Sequence, residues 1–234
     1  DKTVSAANLN TIDGITTVAV NASNVTAISS STLDSINTLY TSSGVSGLGN
    51  EAITVSDSGS IAASTLSAIA AVNTSGTITA TSAATVTGTA AEIIASFGNS
   101  TITEATNVAI TVNSGTASLS QARTIDGYTT GVVTATIADT RVSDLVGDSP
   151  LLDANANNAF TVTIGTADAE ITAANLTTLN GLTSVAIEAG NVTKITGTVA
   201  ATNTVYAAAG NSQINGLGNE AVVISGESSN TLSD

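Results

Sequence analysis

Cysteine, histidine, methionine and tryptophan are absent from this chain, and Pro150 is its only proline. Without Cys there are no disulfides and no thiolate zinc sites, and without His there is no imidazole chemistry. Positive charge is scarce as well: 4 Lys plus Arg stand against 18 Asp plus Glu, a formal net charge of −14 over 234 residues. Lys2, Arg123, Arg141 and Lys194 form no cluster in the sequence and cannot neutralise a run of phosphates, so nucleic acid is not expected as a partner. No charge-free apolar run approaches the roughly 18 residues of a membrane span, so no transmembrane segment is expected.

What is present is small and often β-branched. The chain is 42% apolar but only 9% charged, the reverse of a disordered composition. Aromatics make up 2%, so Ala, Val, Ile and Leu carry the interior, with Thr and Ser filling the remainder. A thick globular core uses larger side chains, whereas this set suits a thin one.

Internal repetition organises the chain. Residues 4–31, VSAANLNTIDGITTVAVNASNVTAISSS, align without gaps to residues 171–198, ITAANLTTLNGLTSVAIEAGNVTKITGT, with 14 of 28 positions identical. The hexapeptide GLGNEA occurs at Gly47–Ala52 and again at Gly216–Ala221. The two offsets are 171 − 4 = 167 and 216 − 47 = 169. A shorter period lies inside this one, with helical starts anchored near Leu9, Leu33, Leu66, Ile93, Ala122, Leu176 and Asn203 and a weaker copy around Leu145–Leu152. The mean spacing of these anchors is about 28 residues, which gives about eight units.

Each unit reads alike. Apolar residues three apart (Leu9, Ile12, Ile15; Leu33, Ile36, Leu39; Leu66, Ile69, Val72; Leu176, Leu179, Leu182) predict a short helix, with Ser5, Ser31 or Thr172 as its cap. Gly14, Gly127 and Gly181 are expected to stop helices where the chain must turn out of them. β-Branched runs at Val18–Val20, Ile53–Val55, Val162–Ile164 and Val185–Ile187 predict strands, with second strands at Val25–Ile28 and Val192–Ile195. Helices and strands this short cannot bury their apolar faces alone, but stacked copies can. The expected fold is therefore a single repeat solenoid over residues 1–234: right-handed parallel β-helix-like coils of about 28 residues, each with a short helix and two short strands. Two ferredoxin-like or sandwich domains are the alternative. The chain starts without Met, directly in a repeat, and is read as a segment of a longer repeat protein.

Candidate chemistry is sparse. Acidic residues are densest at Asp139, Asp144, Asp148, Asp153, Asp168 and Glu170, with the irregular stretch 139–159 and Pro150 among them. Flexible oxygen-rich loops suit calcium, so these six are the candidate metal ligands, although no DxDxDG or GGxGxD loop is present. GLGNEA is read as a glycine turn into the following strand rather than as an ion nest. No catalytic pair stands out: Asp13 and Asp126 share one repeat position that Asn180 fills in a third copy, and no enzymatic activity is expected. Thr-x-Thr pairs such as Thr77/Thr79 and Thr101/Thr103 could form an ice-binding ladder, but with Val18/Val20 and Ile53/Val55 as their equivalents that ladder is expected to be broken. A flat apolar or Thr face would support adhesion.

Units such as TIDGYTTGVVTATIADT (Thr124–Thr140) and AANLTTLNGLTSVAIEAGNVTKITG (Ala173–Gly197) resemble the repeats of very large cyanobacterial cell-surface proteins, among them the swimming-motility repeat proteins of marine Synechococcus. The resemblance rests on repeat texture, covers essentially the whole chain and assigns no functional residue. It implies an exported, surface-displayed segment with structural, motility or adhesive use, neighbouring repeats as partners, contact with a cell surface or glycan, and possible calcium dependence.

Overall fold

The computed structural model describes residues 2–147 and 157–226. It is an α/β structure of short helices and parallel sheets whose contacts divide into two compact units. The first comprises Asp1–Gly115 with Gly127–Val132, and the second Thr116–Asp126 with Val133–Asp234.

In the first unit the elements are β1 (Thr3–Ser5), α1 (Ala6–Ile15), β2 (Val20–Asn21), β3 (Ala27–Ser31), α2 (Leu33–Thr41), β4 (Val45–Ser46), β5 (Ala52–Val55), β6 (Ser60–Ala62), α3 (Ala63–Val72), β7 (Ile78–Ala80), β8 (Thr85–Gly88), α4 (Ala90–Phe97), β9 (Ile102–Glu104) and β10 (Ala109–Val112). Strands β1-β3-β5-β7-β9 form one parallel ladder, β6-β8-β10 another, and β2-β4 a third. The second unit holds α5 (Leu119–Asp126), β11 (Val133–Thr136), α6 (Val142–Val146), β12 (Ala159–Thr161), β13 (Glu170–Thr172), α7 (Ala173–Asn180), β14 (Ile187–Glu188), β15 (Lys194–Gly197), α8 (Val199–Gly210), β16 (Ile214–Asn215) and β17 (Ala221–Ile224). Here β11-β12, β13-β15-β17 and β14-β16 pair, again in parallel.

Identical side chains stack in register. Val4, Ile28, Ile53, Ile78 and Ile102 are successive partners across the first ladder, and all but Val4 are buried. Ile61, Val86 and Ile110 form the matching inner column of the second. Each buried Ile or Val contributes about 1.5–3 kcal/mol of transfer free energy, so these columns are the main apolar stabilisation of the sheets. Consecutive helices α1 to α4 pack on one another and contribute Leu9, Leu33, Ile36, Leu39, Leu66, Ile69 and Ile93 to the same core. In the second unit Phe160 is the largest fully buried side chain, and the rest of that core is likewise aliphatic.

Several expectations need correcting. Partners within the paired strands lie 24 to 27 residues apart, from Thr3↔Ala27 to Lys194↔Ala221, and the single bridge Ala117↔Ile137 spans 137 − 117 = 20, rather than about 28. Anchor averaging gave the longer figure because the helices change place: α1 and α2 follow β1 and β3 of the first ladder whereas α3 and α4 follow β6 and β8 of the second, so the anchors Leu33 and Leu66 lie 66 − 33 = 33 residues apart. The helical stripe is narrower than its spacing implied, since Ile12 is 45% and Ile15 80% exposed while Leu9 is buried. Val18 is also exposed, and the strands begin at Val20 and Ile187 rather than at Val18 and Val185. At Val162–Ile164 the expected strand is reduced to a single parallel bridge, Thr163↔Glu188, just after β12 ends at Thr161. Gly127 and Gly181 directly follow the last residues of α5 and α7 as expected, whereas Gly14 lies within α1 and does not stop it. The stretch 139–159 includes the helix α6 and the first residue of β12.

Candidate functional site

Helix N-termini are where the acidic residues act. Each α-helix leaves its first N–H groups without an internal partner. Ser5, Thr32, Thr172 and Thr198 accept from the N–H three residues on, and Thr89 with Glu92 completes a capping box. A second acceptor comes from a later strand or turn. Ala6 N–H donates to Ser31 Oγ (3.1 Å), Leu33 N–H to Asp57 Oδ2 (2.7 Å), Leu119 N–H to Asp139 Oδ2 (2.6 Å) and Val142 N–H to Asp168 Oδ2 (2.7 Å). Ser31 thus caps α1 across the fold, while its neighbour Thr32 is the local cap of α2. A carboxylate at the positive end of a helix also gains from the aligned peptide dipoles.

Two of the six candidate calcium ligands, Asp139 and Asp168, are therefore helix caps. Glu170 pairs with Lys194 Nζ at 2.5 Å, and Asp144 accepts from Ser143 Oγ at 3.2 Å. Asp148 and Asp153 lie outside the described residues. Among the described residues no three acidic side chains come together as a metal-sized group.

Asp13 and Asp126, which share a repeat position, both reach into a later segment. Ser42 Oγ donates to Asp13 Oδ2 at 2.6 Å. A Cβ on Gly44 would sit 1.8 Å from Asp13 Oδ1, so only glycine admits this carboxylate. Asp126 is 2% exposed and accepts from Asn158 Nδ2 at 2.7 Å, while Asn158 Oδ1 accepts from Val133 N–H at 2.8 Å. These residues link successive segments of the chain. A cleft of about 230 Å³ beside α2, lined in part by Leu33, Asp34, Asp57 and Ser60, is smaller than an ordinary ligand pocket.

The two GLGNEA segments fold alike. In the first, Gly47 (φ +86°) and Gly49 (φ +146°) curl the backbone so that Glu51 Oε2 accepts from Gly49 N–H (2.8 Å) and Asn50 N–H (3.1 Å). Tyr40 Oη donates to the same oxygen at 2.6 Å. Burial, then the Glu51 hydrogen bond and charge, raises the Tyr40 ionisation well above the usual phenol range. In the second copy Glu220 Oε2 accepts from Gly218 N–H (2.7 Å) and Asn219 N–H (3.0 Å), and Tyr206 Oη donates to Glu220 Oε1. Burial first, then the Glu220 hydrogen bond and charge, together raise the Tyr206 ionisation to about 12. Burial also acts to raise Glu220, but the bonds from Tyr206 and the loop N–H groups outweigh it and hold the carboxyl below its ordinary range. The glycine-turn reading of GLGNEA is correct, but the tyrosine partner is separated by 11 and 14 residues and no local pattern announces it.

The third feature is an outward face. Thr54, Thr79 and Thr103 are register partners on β5, β7 and β9, and Ser5 and Ser29 are partners on β1 and β3. Two residues before these stand Thr3, Ala27, Ala52, Thr77 and Thr101. All ten are exposed or half-buried, none is charged, and eight carry a hydroxyl. The Thr-x-Thr ladder is broken as expected, interrupted by Ala27 and Ala52, but the equivalence differs: Ile53 and Val55 are buried and point inward, so the outer equivalents of Thr77/Thr79 are Ala52/Thr54. In the second unit the same columns carry Glu170 and Lys194.

Among the described residues no helix is long and apolar enough to cross a membrane. Compared with family models, curated proteins and solved structures, the chain matches none of them.

Proposed function

We propose that this chain is a right-handed solenoid segment of a very large, exported cell-surface protein, acting as a non-enzymatic spacer and contact module. The observation that carries the reading is the set of in-register parallel ladders at a step of 24 to 27 residues, with like side chains stacked column by column. Such a stack is extensible by whole coils and holds side chains at fixed intervals of about 4.8 Å, which is what a spacer or a repetitive contact surface needs. The acidic, cysteine-free composition is compatible with display outside a cell. Asp13, Asp57, Asp126, Asp139 and Asp168 serve as caps and links, which favours a scaffold over a reaction centre.

The Thr/Ser/Ala face of the first unit favours contact as well as spacing. Small hydroxyl side chains in a flat array offer methyl groups and hydroxyls together, suited to an ordered, uncharged surface such as packed glycan chains. Binding of the purified chain to glycan-coated beads tests this, with a Thr54→Lys, Thr79→Lys, Thr103→Lys variant as comparison. The contact reading expects retention by the beads and its loss in the variant. Equal retention of the two would remove this face from the account.

A further inference from the structure

Four places in the chain set a carboxylate or amide side chain directly before a glycine: Asp13–Gly14, Asp126–Gly127, Asn180–Gly181 and Asn215–Gly216. At such a pair the glycine nitrogen, with no Cβ beside it, can attack the preceding side-chain carbonyl carbon if it is free to turn toward it. Three of the four are held off. Asp13 and Gly14 lie within α1, where Asp13 Oδ2 accepts from Ser42 Oγ at 2.6 Å. Asp126 is 2% exposed and out of reach of water. Asn180 is the last residue of α7, and Gly181 N–H donates to Thr177 O (3.1 Å) and Thr178 O (3.0 Å). At the fourth, Asn215 ends β16 outside any helix and is half-buried, and Gly216 is exposed. The Gly216 N–H makes no hydrogen bond among the described residues.

This openness belongs to the repeat position. Ser46–Gly47 is the same place in the first copy, with β5 to β10 following it, and both residues are exposed there too. The fold demands the glycine: φ is +83° at Gly216 and +86° at Gly47, and a Cβ would sit 2.7 Å from Gly190 N and from Ser23 N respectively. It does not demand asparagine before it, since Ser46 fills that place in the first copy. Asn215 instead makes a link of its own, donating from Nδ2 to Glu188 Oε1 (2.8 Å), its register partner on β14.

We infer that Asn215 is a site of spontaneous modification, an amide that converts to an acid with age and so loosens β16 from β14. The Gly216 nitrogen bonds to Asn215 Cγ, the bond from Cγ to Nδ2 breaks, and the amide group leaves as ammonia carrying the Gly216 proton. Water then opens the cyclic imide at either carbonyl. One opening gives aspartate, the other isoaspartate with an extra methylene in the main chain. The balance is amide plus water to acid plus ammonia, with no oxidant or cofactor. Either product takes the donor away from Glu188 and sets a second negative charge against it, in a chain already at −14. The inference rests on the local geometry of this pair and is independent of the surface-protein reading.

Peptide mapping by mass spectrometry of the folded chain, kept at neutral pH and physiological temperature, reads the conversion residue by residue. Aspartate and isoaspartate should accumulate at Asn215 at least about tenfold faster than at Asn180, the other Asn–Gly pair, whose glycine N–H is held by two carbonyls. In denaturant the two pairs, alike in local chemistry, should convert at similar rates. Asn215→Ser, which installs the residue of the first copy, should keep the folded spectrum and show no conversion at this position. Asn215→Asp should melt below the wild type, by less in high salt, and aged wild type should move toward it. Equal rates at Asn215 and Asn180 in the folded chain, conversion that begins at Asn113–Ser114 instead, or an Asn215→Asp chain that melts with the wild type would overturn the proposal.

Discussion

The Asp57 carboxylate closes a helix that ended sixteen residues before it: its Oδ2 accepts the Leu33 N–H at 2.7 Å, from 24 residues further along the chain. One side chain therefore does two jobs, capping α2 and tying it to the segment between β5 and β6. Asp139 with Leu119 and Asp168 with Val142 repeat the arrangement.

Replacing Asp57 by Ala removes both jobs. Loss of a capping acceptor costs about 1 kcal/mol, and in a chain of this size that lowers the thermal midpoint by roughly 2–4 °C. Asp57→Asn, which keeps an acceptor oxygen, should lose less than half as much by circular dichroism melting.

Asp139 separates capping from calcium binding. As a cap, Asp139→Ala lowers the midpoint by the same few degrees in calcium and in chelator. A calcium ligand would instead give a wild-type chain stabilised by the ion and a variant that is not. Parallel melts of both chains decide between them.

Two glycines should respond oppositely to alanine. Gly14 lies in α1 with nothing within 4 Å of an added Cβ, so Gly14→Ala should stabilise by about 0.5–1 kcal/mol. At Gly47 φ is +86° and the Cβ would sit 2.7 Å from Ser23 N, so Gly47→Ala should destabilise by more than about 1 kcal/mol. Chemical denaturation of the two variants checks the sign of each.

The Tyr206–Glu220 pair sets a pH window. Glu220 is held below its ordinary 4.5, so its contribution is present above that value and is lost as the pH falls through the lower folded one. Tyr206 is raised from 10 to about 12, so its contribution is present below pH 10 and is lost on the way to 12. The stability difference between the wild type and Tyr206→Phe should therefore be flat from about pH 5 to 9 and shrink at both ends. A difference that does not vary with pH would contradict the pairing.

Much of this architecture is legible in the residues, and the misreadings have physical causes. The β-branched runs and hydroxyl caps locate most strands and helices because propensity and capping act locally. The 28-residue period failed because the helix follows a first-ladder strand at α1 and α2 and a second-ladder strand at α3 and α4, a shift that an average over helical anchors cannot show. The Thr face was missed because Ile53 and Val55 were matched to Thr77 and Thr79, one position out of phase, and in a strand one residue reverses inside and outside. Asp57 and Asp139 find partners through the register of the stack, which no local spacing encodes, and Tyr40 meets Glu51 only because the glycine turn curls back between them.

The account stands most directly on the equivalence of successive ladder steps. Ile78 and Ile102 are register partners, so removing residues 78–101 deletes one whole step and joins Thr77 to Ile102 in phase. Circular dichroism and cooperative melting of that shortened chain are the measurement. A folded, cooperative protein with an unchanged spectrum per residue is predicted, while removal of residues 78–89 alone should unfold the region. Loss of folding in the whole-step deletion, or equal tolerance of the half-step, would contradict a stack of interchangeable coils.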